Sequence, residues 1–263
     1  MQIRKGCVRV QIDAADYDAD TALHTATSSL HLHILHRLTE VIKPETLAEL
    51  LTKPNVRGNT PLHCAFDKML DGDPRVTEFG VTEAVRHLVA LHKKHNISID
   101  QQDSERATAL CIAAKFNLPD AVKILIEAGA DVNIPTSWGD TPLTAAAAAP
   151  SAQIMRALLK AKADPSAALE RSKETALHLV IHSHLREDEV VSICEELIDA
   201  GGDVNALDID EKSPVVRAAE HHRQKLVRFL LLLLSLHIRV SSLCLSVRAS
   251  WGIPYYSRTN QIP

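Results

Sequence analysis

The chain has 263 residues, which is enough for one or two globular domains or for a single elongated array. Its hydrophobic fraction of 46% and charged fraction of 24% exclude a disordered or collagen-like chain, and the scarcity of aromatic residues, at 3%, favours closely packed short helices over a β-sandwich. A net charge of −4 supplies no overall basic field, so nucleic acid and anionic membrane surfaces are not expected as partners.

A short phrase of Thr or Ser, then Ala or Pro, then an aliphatic residue recurs six times along the chain. It begins at Thr21, Thr60, Thr108, Thr141, Thr175 and Ser213, at intervals of 39, 48, 33, 34 and 38 residues. The leading hydroxyl is able to accept hydrogen bonds from the unpaired N–H groups of a helix start, and proline is tolerated at the next position. Each phrase therefore predicts the first helix of a repeated unit.

The first two units depart from the regular interval. In the first unit apolar residues continue after the phrase, so we expect its first helix to run on through Leu30, Leu35 and Leu38. A second helix is then expected over 45–51, after Pro44. In the second unit we predict an insertion at 69–80 between the two helices.

The later units have the clearest second helices. Val122, Leu125 and Ile126 share one face of a helix that ends at Gly129. Corresponding faces recur at Ile154, Leu158 and Leu159, at Val191, Cys194, Leu197 and Ile198, and at Val227, Leu230 and Leu231. The sequences Gly-Ala-Asp-Val-Asn at 129–133 and Gly-Gly-Asp-Val-Asn at 201–205 follow two of these helices. The fourth unit lacks this glycine at 162–165, so we expect an irregular loop after it.

The order Thr-Pro-Leu-His, helix pair, Gly-Ala-Asp-Val-Asn and turn, repeated at about 33 residues, resembles the ankyrin repeat. The resemblance covers residues 18–236, is strongest over 108–212, and leaves 1–17 as an N-terminal extension and 237–263 as an atypical C-terminal tail. It implies an all-α solenoid of about six helix-turn-helix units joined by hairpin-like finger loops. In this family the fingers and first helices form a concave surface that binds other proteins.

The fingertips, just before each Thr or Ser, are the positions free to specialise. The predicted partner-binding residues are Arg57, Asn59, Glu105, Arg106, Trp138, Asp140, Arg171, Lys173, Asp210 and Lys212. Trp138 is the strongest candidate, because Trp and Arg are enriched among residues that dominate interface energy. The alternative is that its indole lies across the neighbouring finger. The acidic tip at 208–211 is a candidate contact for a basic partner, or simply a solvated face.

Candidate chemistry is weak. His178 and His182 have the i, i+4 spacing of two ligands on one helical face, with His184 nearby, but no Cys or carboxylate completes a tetrahedral set. The resemblance instead implies that His24, His63 and His178 tie each turn to the next repeat. No phosphate-binding glycine loop or nucleophile motif occurs, so we predict no enzyme activity, no cofactor and no bound metal.

The five cysteines show no C-x-x-C pair and follow no secretory signal, which predicts reduced thiols in a cytoplasmic or nuclear protein. Asn133 and Asn205 follow Asp-Val with a leucine eight residues earlier, and so look like the ankyrin sites of asparaginyl hydroxylases. The alternative for both asparagines is a hydrogen bond that holds the finger turn.

The predicted last helix is apolar on all sides, unlike the polar cap that a stack needs. We expect Val227, Leu230, Leu231 and Leu234 to pack inside the stack. Leu232 and Leu233 are then left to face a further repeat, a partner, the tail or lipid. A membrane anchor at 229–236 is disfavoured, because Arg239 near mid-bilayer costs roughly 3 kcal/mol. A degraded SOCS box around Leu243 and Cys244 is another possibility, but we favour an atypical end packed loosely over the last helix.

The function that these patterns favour is a non-enzymatic scaffold or adaptor that binds a partner protein through the concave face and finger loops. Two alternatives stay open. One is a regulatory inhibitor similar to the ankyrin inhibitors of NF-κB, which rests on the number of repeats. The other is a substrate adaptor of a ubiquitin ligase, which rests on the tail.

Overall fold

The computed structural model describes residues 14–70 and 77–237. Within these ranges the chain is helical, and its only extended pairing consists of three isolated bridges, so the predicted all-α class is confirmed. The helices are α1 (Ala22–Ser28), α2 (Leu32–Val41), α3 (Pro44–Thr52), α4 (Pro61–Cys64), α5 (Asp67–Leu70), α6 (Glu78–His95), α7 (Ala109–Lys115), α8 (Pro119–Glu127), α9 (Pro142–Ala148), α10 (Ala152–Lys160), α11 (Ala176–His182), α12 (Glu187–Asp199), α13 (Pro214–Glu220) and α14 (Gln224–His237).

The helices form two rows, and the core lies between the rows. The first helices of the six units contact one another in the order α1, α4, α7, α9, α11 and α13. The second helices contact one another in the order α2, α6, α8, α10, α12 and α14. Each unit therefore packs against the unit before and after it, as the predicted solenoid requires.

The recurring phrase begins every first helix. Thr108, for example, has extended backbone angles, and its Oγ1 accepts the N–H of Cys111 at 3.3 Å. The aliphatic residue of the phrase points into the core, since the leucines at this position are at most 2% exposed in the first five units: Leu23, Leu62, Leu110, Leu143 and Leu177. The capping residue thus fixes which face of the short helix is buried.

The first unit contains the helix predicted over 45–51, observed as α3, but its first helix does not run on as predicted. Helix α1 ends at Ser28 instead of running on, because Leu30 adopts a left-handed conformation with φ of +53°. The N–H of His31 then bonds the Ala26 carbonyl and the N–H of Leu30 bonds the Thr27 carbonyl, which is the Schellman ending of a helix. Helix α2 is consequently the second helix of this unit, and α3 is an additional helix that contacts α4 and α6.

The second unit contains the longest described helix. Its first helix, α4, has four residues, α5 follows it, and the predicted insertion lies partly at 71–76, outside the described residues. The 18-residue α6 begins after Thr77, whose Oγ1 accepts the N–H of Gly80 at 3.2 Å. Val81, Val85 and Leu88 anchor α6 in the core with 0% exposure.

The last described helix, α14, buries only part of its apolar surface. Leu226 and Leu230 are at most 1% exposed, whereas Leu231 is 52% exposed, so the prediction that Leu231 packs inside is wrong. The equivalent residues Ile126 and Leu159 are half-buried in repeats that have a following helix. No described helix is long and apolar enough to span a membrane. The proposed tail lies, beyond His237, outside the described residues, and so do the anchor and SOCS-box hypotheses for Arg239, Leu243 and Cys244.

Candidate protein-interaction surface

Six finger loops precede the first helices. We number them finger 1 (16–20), finger 2 (55–59), finger 3 (103–107), finger 4 (136–140), finger 5 (169–174) and finger 6 (208–212). In all but finger 5 the N–H of the first residue donates to the carbonyl of the fifth. The side-chain oxygen of that first residue also accepts the N–H groups of the third and fifth residues, at 2.8 to 3.3 Å, in Asp16, Asn55, Asp103, Thr136 and Asp208. These bonds hold each turn in one conformation.

These acceptors were not among the predicted residues, although they have a sequence signal. An Asp, Asn or Thr stands five residues before the capping Thr or Ser in every finger except the fifth. Finger 5 has Glu170 at this place, and its turn begins one residue earlier, at Leu169, whose N–H donates to the Glu174 carbonyl, so the turn is one residue longer. The prediction of an irregular loop after the fourth unit is therefore confirmed. Lys162 supplies the left-handed residue, with φ of +71°, where other units have glycine.

Backbone hydrogen bonds also join each finger to the next. The second residue of a finger donates its N–H to a carbonyl at the preceding tip, as Ser137 does to Glu105 at 2.7 Å and Glu170 does to Trp138 at 3.0 Å. Gly139 makes the latter approach possible, because a Cβ there would lie 2.7 Å from the Glu170 nitrogen. The tips consequently form one fixed row.

The structure divides the ten predicted partner-binding residues into two groups. Seven lie at exposed tips: Arg57, Glu105, Arg106, Trp138, Arg171, Lys173 and Asp210. Three lie at the finger base, and of these Asn59 is only 9% exposed. Its carbonyl accepts the Asn55 N–H and contacts His24 Nε2, so the prediction of Asn59 as a surface contact is wrong. Asp140 and Lys212 are half-buried, and the Lys212 ammonium lies 2.5 Å from Glu220.

Trp138 lies against the neighbouring finger and still faces solvent. The guanidinium carbon of Arg171 stands 4.0 Å from the centre of the indole ring, which is a cation–π contact. The side chain remains 44% exposed. The alternative of packing across the next finger is therefore observed, and it leaves part of the ring accessible.

The acidic tip of finger 6 is not a free acidic patch. Arg217 of α13 reaches back to it, with Nε 2.5 Å from Asp208 Oδ2 and one terminal nitrogen 2.7 Å from Asp210. Burial raises the pKa of Asp208, but hydrogen bonds from the Lys212 N–H and from Arg217 outweigh it and hold that pKa below its ordinary value. Arg217 thus offsets part of the negative charge of this tip, while Glu211 stays exposed without an ion pair among the described residues, so the contact with a basic partner stays a prediction.

The phrase histidines act as structural ties. In His24, His63 and His178, Nδ1 lies 2.8 to 3.0 Å from the hydroxyl of the capping Thr, and Nε2 lies 3.1 to 3.2 Å from the carbonyl that ends the next finger. Since the Thr N–H donates to Nδ1, the proton sits on Nε2 and the ring is neutral. Burial lowers the pKa of all three rings.

Several of the histidines and cysteines that the sequence singles out are engaged or buried in the described residues. Both ring nitrogens of His178 are occupied, and Nδ1 of His182 lies 3.2 Å from Glu174. No three His, Cys, Asp or Glu side chains in the described ranges are grouped to hold a metal ion. Burial raises the pKa of Cys111 and Cys194 to about 12, so neither thiol ionises near neutral pH.

The two asparagines predicted as hydroxylation sites differ in their contacts. Asn133 Oδ1 accepts the N–H of Asp164 at 2.8 Å, and its Nδ2 donates to the Lys162 carbonyl at 3.3 Å. The Asn133 side chain is thus hydrogen-bonded, although to the turn after α10 and not to a finger. Asn205 is exposed, and the described residues supply no equivalent bond to its side chain. Hydroxylation stays a prediction at both positions.

Comparison with known proteins agrees with this geometry. The family model of ankyrin repeats in three copies matches residues 75–168, and that of a single ankyrin repeat matches 172–209. The chain is 30% identical over 187 residues to the B-cell lymphoma 3 protein homolog of Mus musculus, covering 70% of this chain and 38% of that protein. It is 38% identical over 120 residues to neurogenic locus notch homolog protein 1 of Xenopus tropicalis, covering 46% of this chain and 5% of that protein. The matched region thus spans well under half of either relative.

Proposed function

Because this chain belongs to the ankyrin-repeat family, we propose that it is a non-enzymatic scaffold or adaptor that binds a partner protein through its finger loops and first helices. Members of this family serve as protein-interaction modules. The observation that carries the finer proposal is the row of exposed fingertips on a backbone that is hydrogen-bonded both within and between loops.

A fixed row of this kind suits protein recognition. Loops that are already ordered lose little conformational entropy when a partner docks, so more of the contact energy remains as affinity. The exposed tips carry Arg57, Arg106, Arg171 and Trp138, which are residue types that dominate interface energy. The described cysteines Cys64, Cys111 and Cys194 are buried and are not part of this surface.

The first helices extend the same surface. Ile112 of α7 and Leu179 of α11 occupy the same place in their repeats, four residues after the capping Thr, and both are half-buried. They offer apolar contact area beside the polar tips, which is the usual division between an interface centre and its rim.

Affinity purification with matched variants tests this function. The fingertip variant combines Arg106→Ala, Trp138→Ala and Arg171→Ala, and the control combines Arg37→Ala, Arg86→Ala and Lys123→Ala on exposed sites of the second-helix row. Circular dichroism verifies that both variants fold. The proposal predicts that bound partners disappear with the fingertip variant and persist with the control. Partners that persist with the fingertip variant and vanish with the control would contradict it.

A further inference from the structure

The cations of the central fingertips have no acidic partner. Arg57, Arg106, Arg171 and Lys173 are all exposed, and no carboxylate in the described ranges forms a salt bridge with any of them. Some exposed cations elsewhere are paired, as Arg37 is with Glu40 and Arg156 is with Glu196, and others, such as Lys115 and Lys160, are not paired within the described residues. Fingers 2, 3 and 5 therefore present unpaired positive charge.

Several carboxylates of the fingers accept hydrogen bonds or form ion pairs within the fold. Asp103 accepts the N–H groups of Glu105 and Ala107, and Asp208 and Asp210 are bound to Arg217. At the exposed tips of fingers 2 to 5, Glu105 and Glu170 are the remaining anions beside the four cations. Among the exposed side chains of these tips the four cations therefore outnumber the two anions, while Asp103, Asp140 and Glu174 lie half-buried in the same fingers.

Arg171 is the best prepared of these cations. Its guanidinium rests on the Trp138 ring at 4.0 Å, and the described residues provide no hydrogen-bond acceptor to it. A cation–π contact restrains the guanidinium without using its N–H groups, which stay available as donors. A planar fork held in this way matches the two oxygens of a carboxylate.

We propose that the partner segment bound by fingers 2 to 5 is an extended peptide rich in Asp and Glu, with one carboxylate on the Arg171 guanidinium. The inference rests on the proposed function and specifies the chemistry of the partner. A nucleic acid fits less well, because Glu105 and Glu170 are interspersed with the cations. A peptide is able to place uncharged residues opposite these two anions, whereas a polyphosphate carries a charge at every nucleotide.

Fluorescence anisotropy with a synthetic probe tests the proposal. The probe is a fluorescein-labelled peptide of alternating Glu and Ser, and the full chain is titrated into it. A parallel titration adds oligo(dT) as a competitor of the bound peptide. Binding is expected at about 50 mM salt and should weaken about fivefold or more at about 300 mM salt, because exposed charge pairs are screened. No binding at low salt, or tighter binding of oligo(dT) than of the peptide, overturns the proposal.

Charge-reversal variants locate the contact. Arg106→Glu and Arg171→Glu should each weaken peptide binding about fivefold or more, whereas Arg37→Glu, the same change in the second-helix row, should alter it less than about twofold. Because Arg106 and Arg171 are changed separately, a folding defect in one variant does not decide the result. Equal binding by all three variants overturns the proposal. If the chain does not bind the peptide while the fingertip variant still loses its cellular partners, the proposed acidic chemistry of the partner is wrong. The proposed interaction function then stands.

Discussion

The central repeats and the last described repeat share a sequence pattern but not an environment. Ala114 and Ala147, in the first helices of the third and fourth repeats, are 0% exposed, whereas Ala219 at the same place in the last repeat is exposed. Leu159 is half-buried and its counterpart Leu231 is 52% exposed. The same residue type therefore stabilises the fold only where a following repeat covers it.

The fingers differ between these regions in a complementary way. Finger 4 is held by the next finger through the bond from Glu170 N–H to the Trp138 carbonyl. Finger 6 has no described finger after it and is held by Arg217, whose guanidinium binds Asp208 and Asp210. Ion pairs with Arg217 thus hold the last described finger, whereas a backbone hydrogen bond from the following finger holds finger 4.

The largest expected difference between the two regions is in the free energy of unfolding that is lost when a leucine is truncated to alanine. Leu143→Ala removes a side chain with 0% exposure between neighbouring repeats and should lower the free energy of unfolding by about 3 kcal/mol. Leu231→Ala should lower it by less than about 0.5 kcal/mol. Urea denaturation of both variants checks this, and equal losses would mean that Leu231 is covered in solution.

Glycine substitution tests the close approach of neighbouring fingers. Gly139→Ala forces a Cβ to 2.7 Å from the Glu170 nitrogen at a φ of +82°, and should cost about 2 kcal/mol. Gly129→Ala is the matched control, since its φ is +90° but no atom lies within 4 Å of the added Cβ. It should cost about 1 kcal/mol, measured in the same urea titration. A cost at Gly129 that matches or exceeds the cost at Gly139 would refute the finger contact.

The end network is expected to contribute a smaller and local effect. Arg217→Met leaves Oδ2 of the buried Asp208 carboxylate without its charged donor and should cost about 1.5 kcal/mol. Hydrogen exchange followed by mass spectrometry should show faster exchange at 208–220 and unchanged exchange at 136–148. Faster exchange in finger 4 as well would show that the last finger is not independently stabilised.

The histidine ties predict a loss of stability that begins near pH 6.5, whereas Asp208 of the end network, whose pKa is held below its ordinary value of 3.8, responds only at lower pH. The pKa of His178 is held below its ordinary value of 6.5, so the unfolded chain takes up its proton first as the pH falls. This contribution to stability is present above pH 6.5 and is lost as the pH drops toward the folded pKa. His178→Thr copies Thr144 of the fourth repeat, and should cost about 1 kcal/mol at pH 7.

The pH series for that variant is its own control. Because Thr cannot titrate, the loss of stability between neutral and acidic buffer should be smaller in His178→Thr than in the parent, measured by urea denaturation at each pH. An unchanged loss would mean that His178 is not the titrating group.

The sequence predicted the elements whose causes are local. The capping Thr residues, the helix-ending Gly129 and the apolar faces of α8 and α10 follow from chain-local rules, and all are observed. The end of α1 was not predicted because leucine has a high helix propensity. The two Schellman hydrogen bonds nevertheless stabilise a left-handed conformation at Leu30.

The candidate surface was predictable only at its tips. Exposure of Arg106 and Trp138 follows from their place in the turn, but the burial of Asn59 depends on contact with His24 of the preceding repeat, 35 residues away. The charge of finger 6 likewise depends on Arg217, which lies on a different element. Both involve contacts between separate elements, which one sequence read locally does not specify.

Hydrogen-exchange footprinting of the complex with a captured partner tests the central claim most directly. Comparison of the chain with and without that partner should show slower exchange in fingers 2 to 5 and at Ile112 and Leu179 of the first helices. Exchange in α8 and α10 of the second-helix row should be unchanged. Protection confined to α8 and α10, with the fingers unaffected, would contradict the assignment of the fingers as the binding surface.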